Sequence, residues 1–153
     1  MSCDAMKRPL ALGLLIAACS SGPTGLANGP NVVGRWNVEY TLDGTSHMLR
    51  FDAEAGGKGS FLLRDPRSSL VEPAEPSAAS WTDTGLERAT FSGPVEFPVG
   101  NVGREPGTLV FKGTFSTIDL MRGDVAFYPP GQDPNDAGAA PSKTGAFKAT
   151  RAD

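Results

Sequence analysis

From Val32 to Arg151 the apolar residues of this chain fall on alternate positions, and that period of two constrains the fold more than anything else in the sequence. In Val32–Leu42 the residues Val32, Trp36, Val38, Tyr40 and Leu42 share one face, while Arg35, Asn37, Glu39 and Thr41 share the other. The same alternation recurs over 47–54 (Leu49, Phe51 and Ala53), 61–64 (Phe61 and Leu63), 79–84 around Trp81, and 87–99 (Ala89, Phe91, Val95, Phe97 and Val99). It returns over 108–115 (Leu109, Phe111 and Phe115), 121–128 (Met121, Val125 and Phe127) and 144–151 (Phe147 and Ala149). Each segment has strand length, so eight strands are predicted, with no helix between them. The 19 Gly and 13 Pro among 153 residues also exclude a helical bundle.

Turn chemistry separates the segments. Asp43-Gly44 is a hairpin signal, and Gly56-Gly57-Lys58-Gly59 and Gly85 also reverse the chain. Residues 65–78, 100–107 and 129–143 are rich in Pro and Gly without a usable period, and they read as loops. Pro94 and Pro98 lack an N–H, so the segment 87–99 is expected to be bulged or to lie at an edge.

The expected fold is therefore all-β: an eight-stranded antiparallel up-and-down barrel, with a β-sandwich as the alternative. Ten inward aromatics, from Trp36 to Phe147, favour a filled lumen, because protein interiors pack to crystal density. Inward small residues such as Gly34, Ala53, Ala89, Gly113, Gly123, Gly145 and Ala149 leave a hollow one open. Strands that alternate in direction place the short turns 55–58, 85–86 and 116–119 at one end, together with both ends of the domain. The long loops 65–78, 100–107 and 129–143 fall at the other end, where a scaffold of this kind tends to carry function.

The first thirty residues follow other rules. Lys7 and Arg8 precede an unbroken apolar run, Leu10–Ala18, which is far shorter than the roughly 20 residues needed to span a bilayer. It has the proportions of a secretory h-region. It ends in Ile16-Ala17-Ala18-Cys19-Ser20, a string that resembles the lipobox of bacterial lipoproteins. The resemblance implies cleavage between Ala18 and Cys19 and acylation of Cys19. Ser20 in the next position implies export to the outer membrane. Two or three acyl chains anchor stably where one does not. An unmodified thiol in an ordinary signal peptide is the alternative. The expected organisation is a signal peptide over 1–18, a lipidated Cys and flexible tether over 19–29, and a barrel domain over 30–153. Removal of the signal leaves 12 Lys+Arg against 16 Asp+Glu and no cysteine other than Cys19. That balance argues against a nucleic-acid partner and against a basic membrane-docking patch.

Gly34-Arg35-Trp36 opens the first strand. It resembles the G-x-W signature of lipocalins and related calycin barrels, in which the Trp plugs the closed end and an Arg from the last strand packs across it. Arg151 has the inward parity of Phe147 and Ala149, so the resemblance implies a barrel-closing pair of Trp36 and Arg151. A lone Trp on an apolar face is also an ordinary core residue. The chain departs from lipocalins in lacking a T-D-x signature near the sixth strand, their C-terminal helix and their cysteines.

No catalytic or metal constellation emerges. His47 is the only imidazole, next to Ser46 but on the opposite strand face, and is expected near solvent at a strand start. Gly57-Lys58-Gly59-Ser60 lacks the spacing of a phosphate loop. Asp133-Pro134-Asn135-Asp136 lacks the closing Glu and helices of an EF-hand. The expectation is a non-enzymatic, cofactor-free envelope lipoprotein whose partners are the membrane, through the anchor, and a protein at the distal loops. The alternative is a lipocalin-like binder of a small apolar or amphipathic ligand in the barrel.

Overall fold

A strand with one apolar face has to bury that face, and eight such strands in series do so by curling the sheet until its first and last members meet. A computed structural model describes residues 31–64, 75–99 and 103–153 in that arrangement. The strands are β1 (Gly34–Leu42), β2 (Thr45–Glu54), β3 (Lys58–Leu63), β4 (Ser77–Gly85), β5 (Arg88–Val99), β6 (Gly103–Thr117), β7 (Leu120–Tyr128) and β8 (Lys143–Arg151). Each pairs antiparallel with its sequence neighbours, and β1 pairs with β8 from Trp36↔Arg151 to Tyr40↔Phe147, which closes the barrel. The sandwich alternative is thereby excluded.

The inward rows match the sequence period. Trp36, Val38, Tyr40, Leu49, Phe51, Phe61, Phe91, Phe111, Met121, Val125, Phe127 and Ala149 are buried, and no polar or charged residue among those described is buried with them. The outward rows carry Arg35, Asn37 and Glu39 on β1, Arg122 and Asp124 on β7, and Lys148 on β8. This is the reverse of a membrane-spanning barrel, whose outer face is an apolar band. Among the described residues no helix is long and apolar enough to cross a membrane either.

The ladder corrects the expected loop boundaries: Ser77 and Ala78 pair in β4 and Lys143 in β8, and the largest change is in β6. Residues 103–107, expected in a loop, belong to β6, which pairs with β5 without a register shift from Arg88↔Thr114 to Val99↔Gly103. The β4–β5 ladder ends at Ser80↔Ser92 and the β6–β7 ladder at Thr108↔Tyr128. Beyond those pairs β5 and β6 run on as a two-stranded arm whose outer edges carry no ladder among the described residues. The Pro94 carbonyl accepts a bond from Ser77 Oγ at 2.7 Å, so its peptide edge faces β4 rather than β6. Pro98 and Pro106 share its register parity, opposite Arg104 and Glu96. All three prolines thus turn their missing N–H to an edge where no ladder bond is lost. The strand is an edge there, not a bulge.

Up-and-down order places the turns 55–57, 86–87 and 118–119 at one end, beside Asn31 and the C-terminus. This end is called proximal below, and the opposite end, with the 129–142 loop and the arm, distal.

Candidate functional site

The two residues that the lipocalin resemblance pairs, Trp36 and Arg151, lie together at the proximal end. Trp36 is fully buried, and its Nε1 donates to the Val32 carbonyl at 2.7 Å, which folds the entering chain under the barrel. The Arg151 guanidinium carbon lies 4.3 Å from the indole centroid. Arg151 Nη1 donates to the Val33 carbonyl at 2.9 Å, and Nη2 donates to the Asn31 and Ile118 carbonyls at 2.7 and 3.1 Å. Its Nε–H donates to Asp119 Oδ1 at 3.1 Å. One planar cation therefore joins the entering chain, the β6–β7 turn and β8 across the face of Trp36. Four of its five N–H groups are used and one ring face is covered, so it is a clasp rather than a docking point for an outside anion.

Gly34 belongs to the same clasp. Its φ is +135°, and a Cβ there would lie 2.5 Å from Arg151 Nη1. The glycine is needed both for the backbone and for the guanidinium it makes room for. Across the same end, Trp81 donates from Nε1 to the Glu54 carbonyl at 2.8 Å, and its own N–H bonds to the Gly57 carbonyl at 2.8 Å.

The middle of the barrel is a stack of rings. Phe91 lies parallel to Phe51, with centroids 4.6 Å apart, and to Phe111 at 4.7 Å. Phe61 and Phe147 meet this stack edge-on, at 5.8 and 5.2 Å from Phe111. The rings come from β2, β3, β5, β6 and β8, so they span the lumen from wall to wall. The small inward residues are their sockets. A Cβ on Gly113 would lie 2.7 Å from the Phe147 ring, on Gly59 2.9 Å from Phe51, and on Gly93 3.0 Å from Phe61. Of the glycines that left a hollow barrel open in the sequence, Gly113 is covered by the Phe147 ring and Gly34 by the Arg151 guanidinium, while Gly123 and Gly145 lie against the backbone of Lys112 and Thr41 on neighbouring strands.

The distal mouth is polar on an aromatic floor. His47, expected near solvent, instead has the inward parity of Leu49 and is half-buried. It stacks on Tyr40 at 5.3 Å and meets Phe97 of the arm at 5.0 Å. β2 starts two residues earlier than the alternation suggests, at Thr45, so His47 lies within the strand at the mouth rather than at its first residue. Phe97 also packs on Phe127 at 5.4 Å, so the arm leans over the opening. Lys143 lies 5.4 Å from the Phe127 centroid and pairs with Glu105 of the arm at 2.7 Å. Both partners of that pair are about a third exposed, so Glu105→Ala is expected to cost at most about 1 kcal/mol in urea unfolding. The hold of the arm is apolar, through Phe97.

Elsewhere, Asp133 Oδ1 accepts from the backbone N–H and the side-chain amide of Asn135, which closes a local turn. Among the described residues no group of three or more His, Cys, Asp or Glu is placed to hold a metal ion. A shallow open cleft of about 400 Å³ lies on the outer wall, lined by Val110, Lys112, Asp124, Ala126, Tyr128 and Thr144, outside the lumen.

The structure brings Trp36 and Arg151 together, whereas Ala18 and Cys19 lie outside the described residues. Sequence reasoning missed Asp119 as the counter-ion of Arg151, because it sits 32 positions away in a turn. It missed Glu105 because Pro106 and Gly107 conceal the parity of that segment. A comparison with protein-family models, curated proteins and solved structures finds no match to this chain.

Proposed function

We propose that the chain is a bacterial envelope lipoprotein, acylated on Cys19 and held at the outer membrane, whose barrel serves as a rigid, non-enzymatic display module. The observation that carries the module reading is the ring stack through the lumen. With Phe51, Phe91 and Phe111 in contact across its centre, the barrel has no room at its middle for an amphipathic guest. What it offers to partners is the distal end, with the arm and the 129–142 loop, while the tether holds the proximal end toward the membrane.

The anchor is supported by the order of Lys7, Arg8, the apolar run and Cys19 in the sequence. The lipocalin-like resemblance is supported by Gly34, Trp36 and Arg151 meeting at one end. In this reading that resemblance concerns the architecture of closure and not the carriage of a ligand.

Native mass spectrometry of the mature lipoprotein, released in detergent, tests both parts. The expected mass is that of residues 19–153 plus acyl chains, and Cys19→Ala removes the acyl mass. A further stoichiometric mass lost on denaturation would replace the display module with a ligand carrier. A mature mass without acyl chains would remove the anchor.

A further inference from the structure

Three large apolar side chains among the described residues are strongly exposed: Leu86 at 87 %, Ile118 at 63 % and Met48 at 47 %. Met48 lies on the barrel wall, but Leu86 and Ile118 sit at the tips of two proximal turns. These turns are neighbours, since Phe115 N donates to the Glu87 carbonyl at 2.8 Å. Leu86 has φ +53° and Glu87 φ +63°. Such a turn ordinarily takes Asn, Asp or Gly, and leucine tolerates it poorly. The chain thus keeps a bulky apolar residue where both solvent and backbone disfavour it, which points to a role outside the fold.

Where the rest of the chain enters identifies the occupant. Cys19 precedes Asn31 by 12 positions, and Asn31 lies at this same end, bonded to Arg151. The Ser-, Gly- and Pro-containing sequence between Cys19 and Asn31 reads as a tether, and a random coil of that length has an end-to-end distance of roughly 20 Å. An acylated Cys19 therefore confines the two turn tips close to the lipid surface, and even weak contacts are used at high effective concentration.

We infer that Leu86 and Ile118 dock the proximal end of the barrel into a zwitterionic bilayer surface, fixing the barrel upright with its distal end outward. This rests on the reading of Cys19 as the acylated residue. Exposed charge at this end comes from Glu54, Asp83, Glu87, Asp119 and Asp153 against Arg35, Lys58, Arg88 and Arg122, so no basic excess draws it to an anionic surface.

The test uses the mature, acylated full chain in phosphatidylcholine vesicles whose acyl chains carry bromine, a quencher of tryptophan. Both Trp36 and Trp81 lie at the proximal end. The native chain is expected to float with the vesicles and lose roughly half its emission, since interfacial elements sit about 5–10 Å into the headgroup boundary. Leu86→Asn with Ile118→Asn is expected to float equally and lose most of that quenching, whereas Met48→Asn changes nothing. Leu86→Asn alone is expected to raise the melting temperature, because asparagine suits a positive φ, so lost quenching cannot be ascribed to unfolding. Equal quenching in the native chain and the double variant, or a native chain that floats unquenched, overturns the docking and leaves the anchor standing. Stronger quenching in phosphatidylglycerol vesicles also overturns it. A chain that does not float overturns the docking and the acylated Cys19 together.

Discussion

Phe91→Ala is expected to lower the unfolding free energy by about 3–5 kcal/mol, the range for deleting a buried phenyl ring from a core that cannot collapse around the void. For a domain of this size that is a fall of roughly 10–20 °C in melting temperature. Phe91, like Phe111, is enclosed by other rings on all sides. It stacks on Phe51 and Phe111 at interplanar angles of 5° and 10°, and it meets Phe61 and Phe147 edge-on at 6.2 and 5.5 Å. Its exposure is 0 %. The wall around it is a closed hydrogen-bonded ladder, which cannot shrink without breaking β-pairs, so the void persists. A persistent apolar void binds a small apolar guest. Benzene is therefore expected to raise the melting temperature of Phe91→Ala and to leave that of the native chain unchanged. A loss below about 1 kcal/mol would mean that the rings are not packed as a solid core. The lumen would then be the adaptable interior of a ligand carrier.

That filled lumen was only half legible in the sequence. The period of two gave the inward rows, because each strand has one apolar and one polar face, and Trp36, Phe51, Phe61, Phe91, Phe111, Phe127 and Phe147 are all buried. It did not say which ring faces which glycine. That depends on register between strands, as in the row where Gly113 pairs with Gly123 and Gly123 with Phe147. Residues 103–107 were misread as a loop because glycine and proline ordinarily end strands. Here Pro106 occupies an outer edge whose N–H would have had no ladder partner. His47 was misplaced through a boundary error of two residues in β2. The proximal clasp was half visible: Trp36 and Arg151 share an inward parity, but Asp119 and the carbonyls of Asn31, Val33 and Ile118 belong to segments without any period.

The clasp makes the other large prediction, and its form is a double-mutant cycle. Gly34→Ala is expected to cost about 2–4 kcal/mol, from a φ of +135° that alanine disfavours and from a Cβ placed 2.5 Å from Arg151 Nη1. Arg151→Met is expected to cost a similar amount, about 2–4 kcal/mol, because the cover of Trp36 and the bonds to three carbonyls are lost together. Arg151→Lys is not expected to restore it, since a single ammonium on a flexible stem cannot serve acceptors on separate segments while covering an indole. In the double variant the alanine methyl no longer meets a guanidinium, and only its backbone penalty remains. The combined loss should therefore fall short of the sum by roughly 1–2 kcal/mol, the size expected for residues in direct contact. Urea unfolding measures the cycle, and acrylamide quenching of Trp36, fully buried in the native chain, reports whether the end has opened. If the two losses add to within about 0.5 kcal/mol, Gly34 serves the backbone alone and the clasp does not depend on its missing side chain. If they fall short as expected, one glycine and one arginine, 117 positions apart, act as a single closure. Their contact then reinforces the β1–β8 ladder at the point where it ends, the Trp36↔Arg151 pair.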